Sequence, residues 1–261
     1  MTFFEAIAIT LAGLGAGTVN AVVGSGTLIT FPVLLAFGYD PLVANMSNNI
    51  GLLPGSASGS LGYRHELVGE KRRLVRLGVA AILGGALGAC LLLWLPPAAF
   101  RAIVPAFVAL AIGLVAVQPW LSSWLARRRP VTAQGVEPAP MVLAPDPRYV
   151  FPALVLAGAY GGYFGAGQGI LYIAILAIAL PISLQRANAL KNVLGALVNL
   201  VAGLVFIMSG APIDWRIVAL VALGAIIGGQ LGARVGRRLS PMALRIIIIT
   251  VGAVALWRLL A

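Results

Sequence analysis

Of this chain's 261 residues, 61% are apolar and only 10% are charged, against roughly 25% charged in a typical soluble domain. With a mean hydropathy of +1.01, a water-soluble fold is excluded, because it cannot bury so much apolar surface; lipid is the implied solvent. The net charge of +11 does not point to nucleic acid, since the basic residues form short runs between long apolar segments: Lys71-Arg72-Arg73, Arg127-Arg128-Arg129 and Arg234/Arg237/Arg238, as in membrane loops.

In chain order, no Lys or Arg precedes Arg64, so the first apolar stretch lacks the basic start of a cleavable signal and reads as part of the fold. That stretch, 3–37, is interrupted by glycines in Asn20–Thr27 (NAVVGSGT). Spans near the ~20 apolar residues needed to cross a bilayer follow at roughly 44–61, 74–95 and 99–118. Residues 120–149, rich in Pro and Arg and carrying Glu137 and Asp146, show no apolar periodicity and read as a connecting loop. A second glycine-broken segment, 150–182, contains Gly161–Gly169 (GGYFGAGQG), and three further spans lie at roughly 185–209, 216–233 and 241–260. Trp94, Trp120, Trp124, Trp215 and Trp257 suit interfacial belts.

The two parts of the chain repeat each other. Gly24-Ser25-Gly26 matches Gly165-Ala166-Gly167 at an offset of 141, and Ala44–Ile50 matches Ala187–Val193 at 143. Gly84–Ala89 matches Gly228–Ala233 at 144, with Arg101 then opposite Arg245. Loop charge gives the orientation. Loop 62–76 is basic (Arg64, Lys71, Arg72, Arg73, Arg76), whereas its counterpart 209–216 holds only Arg216 beside Asp214. The next pair reverses: 95–101 has Arg101 alone, while 234–245 has Arg234, Arg237, Arg238 and Arg245. Basic loops face the cytoplasm, so the halves are expected upside down relative to each other.

The expected fold is therefore all-α and polytopic: two inverted repeats, each a glycine-broken helical hairpin plus three transmembrane helices. Residues 1–119 form the first repeat, 120–149 a cytoplasmic linker and 150–261 the second repeat. Both termini then lie outside. The arms of 150–182 are only about 20–25 Å long at 1.5 Å per residue, which leaves re-entrant hairpins and short crossings both open.

What the apolar segments lack is informative. All seven acids (Glu5, Asp40, Glu66, Glu70, Glu137, Asp146, Asp214) fall in expected loops or at the terminus. A cation pathway or carboxylate proton relay normally needs an intramembrane acid. The one cysteine (Cys90) and one histidine (His65) give no disulfide framework and no metal site. No nucleophile, acid–base pair or metal set suggests an enzyme.

The positive inventory points to anions. Lys191 sits inside an apolar span, where an ionisable residue is costly and function is the default reading. Asn188, Lys191 and Asn192 lie at i, i+3 and i+4, with Asn199 at i+11, on one helical face. The matching span gives Asn45, Asn48, Asn49 and Ser56 at the same spacings. The structural alternative is that the Asn side chains bind helices together while Lys191 snorkels to the interface. At the breaks, backbone N–H groups of helix N-termini attract anions. Gly24, Gly26, Gly165 and Gly167 would supply that backbone, and Ser25, Thr27, Tyr163 and Gln168 side-chain donors. Gly84/Gly88 and Gly228/Gly232 are read as packing.

The run Asn20–Pro32 (NAVVGSGTLITFP) with Ala44–Asn49 (ANMSNN), and Gly161–Leu171 (GGYFGAGQGIL) with Arg186–Asn192 (RANALKN), resembles the TauE/SafE sulfite-exporter family, also called toluene-sulfonate uptake permeases. The resemblance covers both repeats. It implies a secondary transporter that moves sulfite or organosulfonates across the bacterial inner membrane by alternating access; a passive small-anion channel with the same fold is the alternative. Ser47-Asn48-Asn49 stands where the family often has Thr-Asn-Lys, which leaves Lys191 as the main candidate anchor. Carried onto this chain, the substrate-binding set is Lys191, Asn48, Asn49, Asn192, Asn188, Gln168, Ser25, Ser47, Asn20 and Tyr163. The implied partners are a small anion and the lipid bilayer, without nucleic acid, and a homodimer is compatible. No cofactor is implied. The coupling ion is H⁺, with Lys191 a candidate carrier, or Na⁺ held by backbone carbonyls at the breaks.

Overall fold

The computed structural model of the chain describes residues 1–128, 146–235 and 241–260. Linker positions 129–145, with Arg129 and Glu137, and Arg237 and Arg238 of the last basic loop lie outside the described residues. Within them the regular elements are all helical: α1 (Phe3–Val22), α2 (Thr27–Ala36), α3 (Pro41–Gly62), a 3-10 turn (Arg64–Leu67), α4 (Lys71–Trp94), α5 (Pro97–Arg128), α6 (Val150–Tyr163), α7 (Gln168–Ala179), α8 (Leu184–Met208), α9 (Trp215–Val235) and α10 (Pro241–Leu260). The helix starts carry the repeat. Moving the first residues of α2, α3, α4 and α5 by the offsets read from the sequence reproduces those of α7, α8, α9 and α10.

Local chemistry sets several boundaries. Thr2 and Glu5 form a capping box at α1, satisfying two backbone donors that helix geometry leaves without partners. The Asp40 carboxylate accepts from the N–H groups of Leu42 and Val43 at the start of α3, with Pro41 as first helical residue. Ser183 accepts from the N–H of Arg186 at the start of α8. The breaks at 23–26 and 164–167 turn on glycine. Gly24 has φ +88°, and Gly165 and Gly167 have +80° and +78°, a region that side-chain-bearing residues rarely adopt.

Among the described residues, five helices are long and apolar enough to cross a membrane: Phe3–Val22, Lys71–Trp94, Pro97–Trp120, Leu184–Met208 and Trp215–Arg234. α3 has 22 residues, and its buried polar face (Asn45, Ser47, Asn48, Asn49, Ser56) keeps it out of that set. Large apolar side chains such as Leu87, Leu156, Leu204 and Ile227 are exposed, as expected where the surrounding solvent is lipid. The chain is an all-α, multi-pass membrane protein.

Two features differ from the sequence reading. α5 does not stop before 120 but runs to Arg128; Pro119, like Pro105, lies inside it, each removing one hydrogen bond without ending the helix. The two arms of the first hairpin are also unequal. α1 has 20 residues, about 30 Å, whereas α2 has 10, about 15 Å. α6 and α7, with 14 and 12 residues, are about 21 and 18 Å long.

The closest packing crosses between the two halves of the sequence. α1 lies along α9, where a Cβ on Gly13 would sit 2.7 Å from the Val221 carbonyl oxygen and one on Gly232 would sit 2.6 Å from that of Thr18. α6 lies along α4, where Gly84, Gly88 and Gly162 leave no room for a side chain against the facing backbone. The small-xxx-small motifs thus act in helix packing. α3 and α8 run side by side between these pairs.

Candidate functional site

A cavity of about 30 Å³ lies where the two hairpin breaks meet α3 and α8, room for about two water molecules. The first hairpin contributes Asn20, Gly24 and Thr27, and the second Phe164, Gly165, Gln168 and Gly169. α3 adds Asn48, Asn49, Leu52 and Ser56, and α8 adds Lys191, Asn192, Gly195 and Asn199. The hairpin tips touch. The Gly169 N–H donates to the Gly24 carbonyl at 3.0 Å, and a Cβ on Gly24 would lie 2.5 Å from the Gly169 Cα.

Among the described residues, Lys191 is the only ionisable side chain in this lining. It is 2% exposed, so it does not snorkel. Its ammonium donates to the Asn20 carbonyl at 2.7 Å and to the Ala21 carbonyl at 3.4 Å. Asn188 and Asn192 donate to the same Ala21 carbonyl at 3.0 and 3.3 Å. The polar face of α8 therefore caps the C-terminal end of α1, whose last carbonyls have no intrahelical partner and carry the negative end of the dipole. α3 does the same for α6, since Asn45 donates to the Tyr163 carbonyl at 2.9 Å.

Other amides connect across the cavity. Asn20 donates to Ser56 Oγ at 3.0 Å, Asn49 to Asn199 Oδ1 at 3.3 Å and Asn48 to Thr27 Oγ1 at 3.4 Å. Asn48 Oδ1, Asn49 Oδ1 and Gln168 Nε2 are buried with no protein partner. Whichever way the Asn48 and Asn49 amides are turned, each keeps a polar atom without a protein partner. Gln168 is held there by Gly161, where any Cβ would collide with its amide.

Eight of the fourteen residues expected from the sequence thus line one cavity: Asn20, Gly24, Asn48, Asn49, Gly165, Gln168, Lys191 and Asn192. Six stand behind it. Asn188 caps α1, and Ser47 Oγ accepts from the Asp214 N–H, tying α3 to the start of α9. The Tyr163 and Ser25 hydroxyls are buried without partners. Gly26 packs against the α1 backbone at Ala16, and Gly167 lies beside Ala111 and Leu114 of α5. Thr27, named among the donors at the first break, and Ser56 and Asn199, on the shared helical faces of the two stripes, join the lining. Leu52 and Gly195 carried no chemical signal in the sequence, while Phe164 and Gly169 lay inside the Gly161–Gly169 break without being singled out.

The first N–H groups of α7 do not stand free for an anion. Gln168 donates to Gly165, Ile170 to Gly167 and Gly169 to Gly24, so the tight turn consumes them. Two of the acids outside the helices have side chains that are hardly exposed. Glu70 and Asp146 are buried in a cluster with Arg73, Arg76 and Arg186, away from the cavity lining.

The family model for the sulfite exporter TauE/SafE matches residues 9–259. A probable membrane transporter protein of Haemophilus influenzae is 29% identical over 226 residues, covering 85% of this chain and 81% of that protein. The probable membrane transporter proteins ORF9 of a Sinorhizobium species and YfcA of Escherichia coli K12 are each 26% identical, covering 94% of this chain and 88% and 86% of theirs. No solved structure matches significantly. With nearly its whole length matched and its glycine breaks and polar helices gathered around one cavity, the chain belongs to the TauE/SafE sulfite exporter family.

Proposed function

We propose that this protein is a secondary transporter, without catalytic activity, that carries small sulfur-containing anions such as sulfite or organosulfonates across the bacterial inner membrane by alternating access. One observation carries the reading. Among the described residues, the only ionisable side chain on a cavity between two broken hairpins is a buried lysine, with no carboxylate in the lining. An anion there gains a charge-assisted partner in Lys191 and neutral donors in Gln168, Asn48, Asn49 and Asn192. A cation would meet the like charge of Lys191 and only neutral oxygens.

The exchanged pairs, α1 with α9 and α6 with α4, are related by the same offsets as the sequence repeat, which supports a two-fold arrangement of inverted halves. In that arrangement both termini lie outside and the linker is cytoplasmic, as the basic loops favour. The small cavity and the touching tips favour a carrier over a continuous pore. Lys191 and the carbonyls of Asn20 and Ala21 are the groups through which H⁺ or Na⁺ coupling would act.

A thermal-shift panel on the detergent-purified protein tests this, with sulfite, sulfoacetate, taurine, an aryl sulfonate, sulfate, acetate and divalent cations. Stabilisation by a sulfur oxyanion, lost in Lys191→Gln, is the expected result. Stabilisation by cations alone would overturn the anion reading.

A further inference from the structure

Grouped by how closely their backbones approach, the helices form two units that cut across the sequence repeat. In one, α9 is locked to both α1 and α3: a Cβ on Gly13 would lie 2.7 Å from the Val221 carbonyl oxygen, and one on Gly55 would lie 2.6 Å from the Ala225 Cβ. In the other, α4 is locked to α6 through Gly84 and Gly88 and to α8 through Gly85, whose added Cβ would lie 3.1 Å from the Val198 Cα. Contacts this close fix helix register, because sliding drives backbone into backbone.

A second observation sets the latter unit apart. The N-terminal ends of α4, α6 and α8 are clamped by buried charge. Glu70, just before α4, pairs with Arg73 and lies 3.5 Å from Arg186 in the first turn of α8. Arg73 also donates to Asp146 at 3.0 Å, in the segment leading into α6. The side chains of Glu70, Arg73 and Asp146 are 7–8% exposed, and this whole core of the cluster lies within one unit.

Apart from the one backbone contact of the hairpin tips, Gly169 on Gly24, the seam between the six helices of the two units is built differently. α8 meets α1 through side chains on carbonyls (Lys191 on Asn20, Asn188 on Ala21), α3 meets α6 through Asn45 on Tyr163, and α3 meets α8 through Asn49 on Asn199. Such bonds exchange partners with water or an anion without disturbing a helix backbone. The cavity lies on this seam, and Lys191 spans it.

We infer that α1, α3 and α9 move as one rigid body against α4, α6 and α8, so that the moving bodies are the exchanged bundles and not the two sequence halves. This rests on the transporter reading above. Ligand at Lys191 competes for the ammonium that holds α8 to the end of α1, which ties occupancy of the cavity to release of the seam.

The test uses the full chain in lipid nanodiscs with Cys90→Ser and three spin-labelled double-cysteine variants at exposed positions. Leu61→Cys/Val75→Cys joins opposite bodies of the same half. Leu61→Cys/Leu231→Cys and Val75→Cys/Leu156→Cys each join opposite halves within one body. Distances are measured without ligand and with saturating sulfite. The first is expected to shift or split by about 5 Å, the scale of a one-turn displacement, while the other two hold. The reverse pattern, with the last two moving and the first fixed, overturns the exchanged bodies and leaves alternating access standing. Three fixed distances in protein whose melting temperature sulfite raises would overturn both.

Discussion

The ammonium of Lys191 lies 2.7 Å from the carbonyl oxygen of Asn20, so the buried cation of α8 closes the broken end of α1. One side chain thus has a structural partner and a place on the cavity wall. Lys191→Ala is expected to do more than abolish anion binding. It strips a charged donor from a helix end, a loss of about 1–3 kcal/mol, seen as a melting temperature lowered by several degrees. Lys191→Gln keeps a donor and should recover part of that stability while remaining blind to sulfite. Thermal melts of both variants, with and without the anion, separate the two roles. Equal stability of Lys191→Ala and wild type would remove the capping role.

The polar faces of α3 and α8 were legible in the sequence because helical spacing puts Asn188, Lys191, Asn192 and Asn199 on one line, and duplication shows the line twice. The partner of that line was not. Lys191 and Asn20 are 171 residues apart, and a periodic pattern shows that a face is polar without showing which backbone it meets. The same limit hid the Arg73–Asp146 pair, 73 residues apart, and the crossing of α9 to α1 and α4 to α6. Hairpin turns left a clear signal in glycine, but the fate of their N–H groups depended on the tip opposite, as Gly169 on Gly24 demonstrates.

Gly161 holds the Gln168 amide on the cavity wall by having no side chain. Gly161→Ala should therefore weaken anion binding through Gln168, and Gln168→Ala should weaken it by about 1 kcal/mol, the worth of one neutral donor. The two losses are expected to overlap. In a Gln168→Ala background the further change at Gly161 should cost little affinity, a coupling that a double-mutant cycle measures by isothermal titration with sulfite. Fully additive losses would mean that Gly161 acts by some other route.

Gly24 and Gly38 share a positive φ, +88° and +82°, but only Gly24 touches another backbone. An alanine at either position pays a conformational cost of about 1–2 kcal/mol. At Gly38 nothing lies within 4 Å of the added Cβ, whereas at Gly24 it meets the Gly169 Cα at 2.5 Å. Gly24→Ala should accordingly be clearly less stable than Gly38→Ala, and should lose sulfite binding as the tips are pushed apart. Melting temperatures and binding of the two variants, side by side, check both statements.

Asp40 introduces a pH dependence. Burial acts to raise its pKa, but hydrogen bonds from Arg101, Leu42 and Val43, together with the Arg101 charge, outweigh it and leave the pKa below the ordinary value of 3.8. A carboxylate with a lowered folded-state pKa stabilises the fold above its unfolded pKa, and that contribution disappears as pH falls through the folded value. The acid limb of a pH–stability curve, below about pH 4, should be flatter in Asp40→Asn than in the parent. A limb of unchanged slope would show that the Asp40–Arg101 contact carries no stability.

The two kinds of acid in this protein should respond very differently to neutralisation. The Arg101 side chain is 58% exposed at its contact with Asp40, and exposed pairs are worth little, about 0–1 kcal/mol. Glu70 is 7% exposed between Arg73 and Arg186, so Glu70→Gln takes from the buried Arg73 guanidinium one of its two carboxylates and leaves it Asp146, which Arg76 shares. Breaking a buried pair from one side costs about 3–5 kcal/mol, mostly as the penalty of the unpaired charge. Glu70→Gln should therefore lower the melting temperature far more than Asp40→Asn. Adding Arg73→Met should restore part of the loss, because it removes the buried charge that has lost a partner, at the expense of its bond to Asp146. If the double variant melts below Glu70→Gln, Arg73 contributes more through Asp146 than it costs unpaired, and the pair holding α4 to the entry of α6 is the stronger half of the clamp.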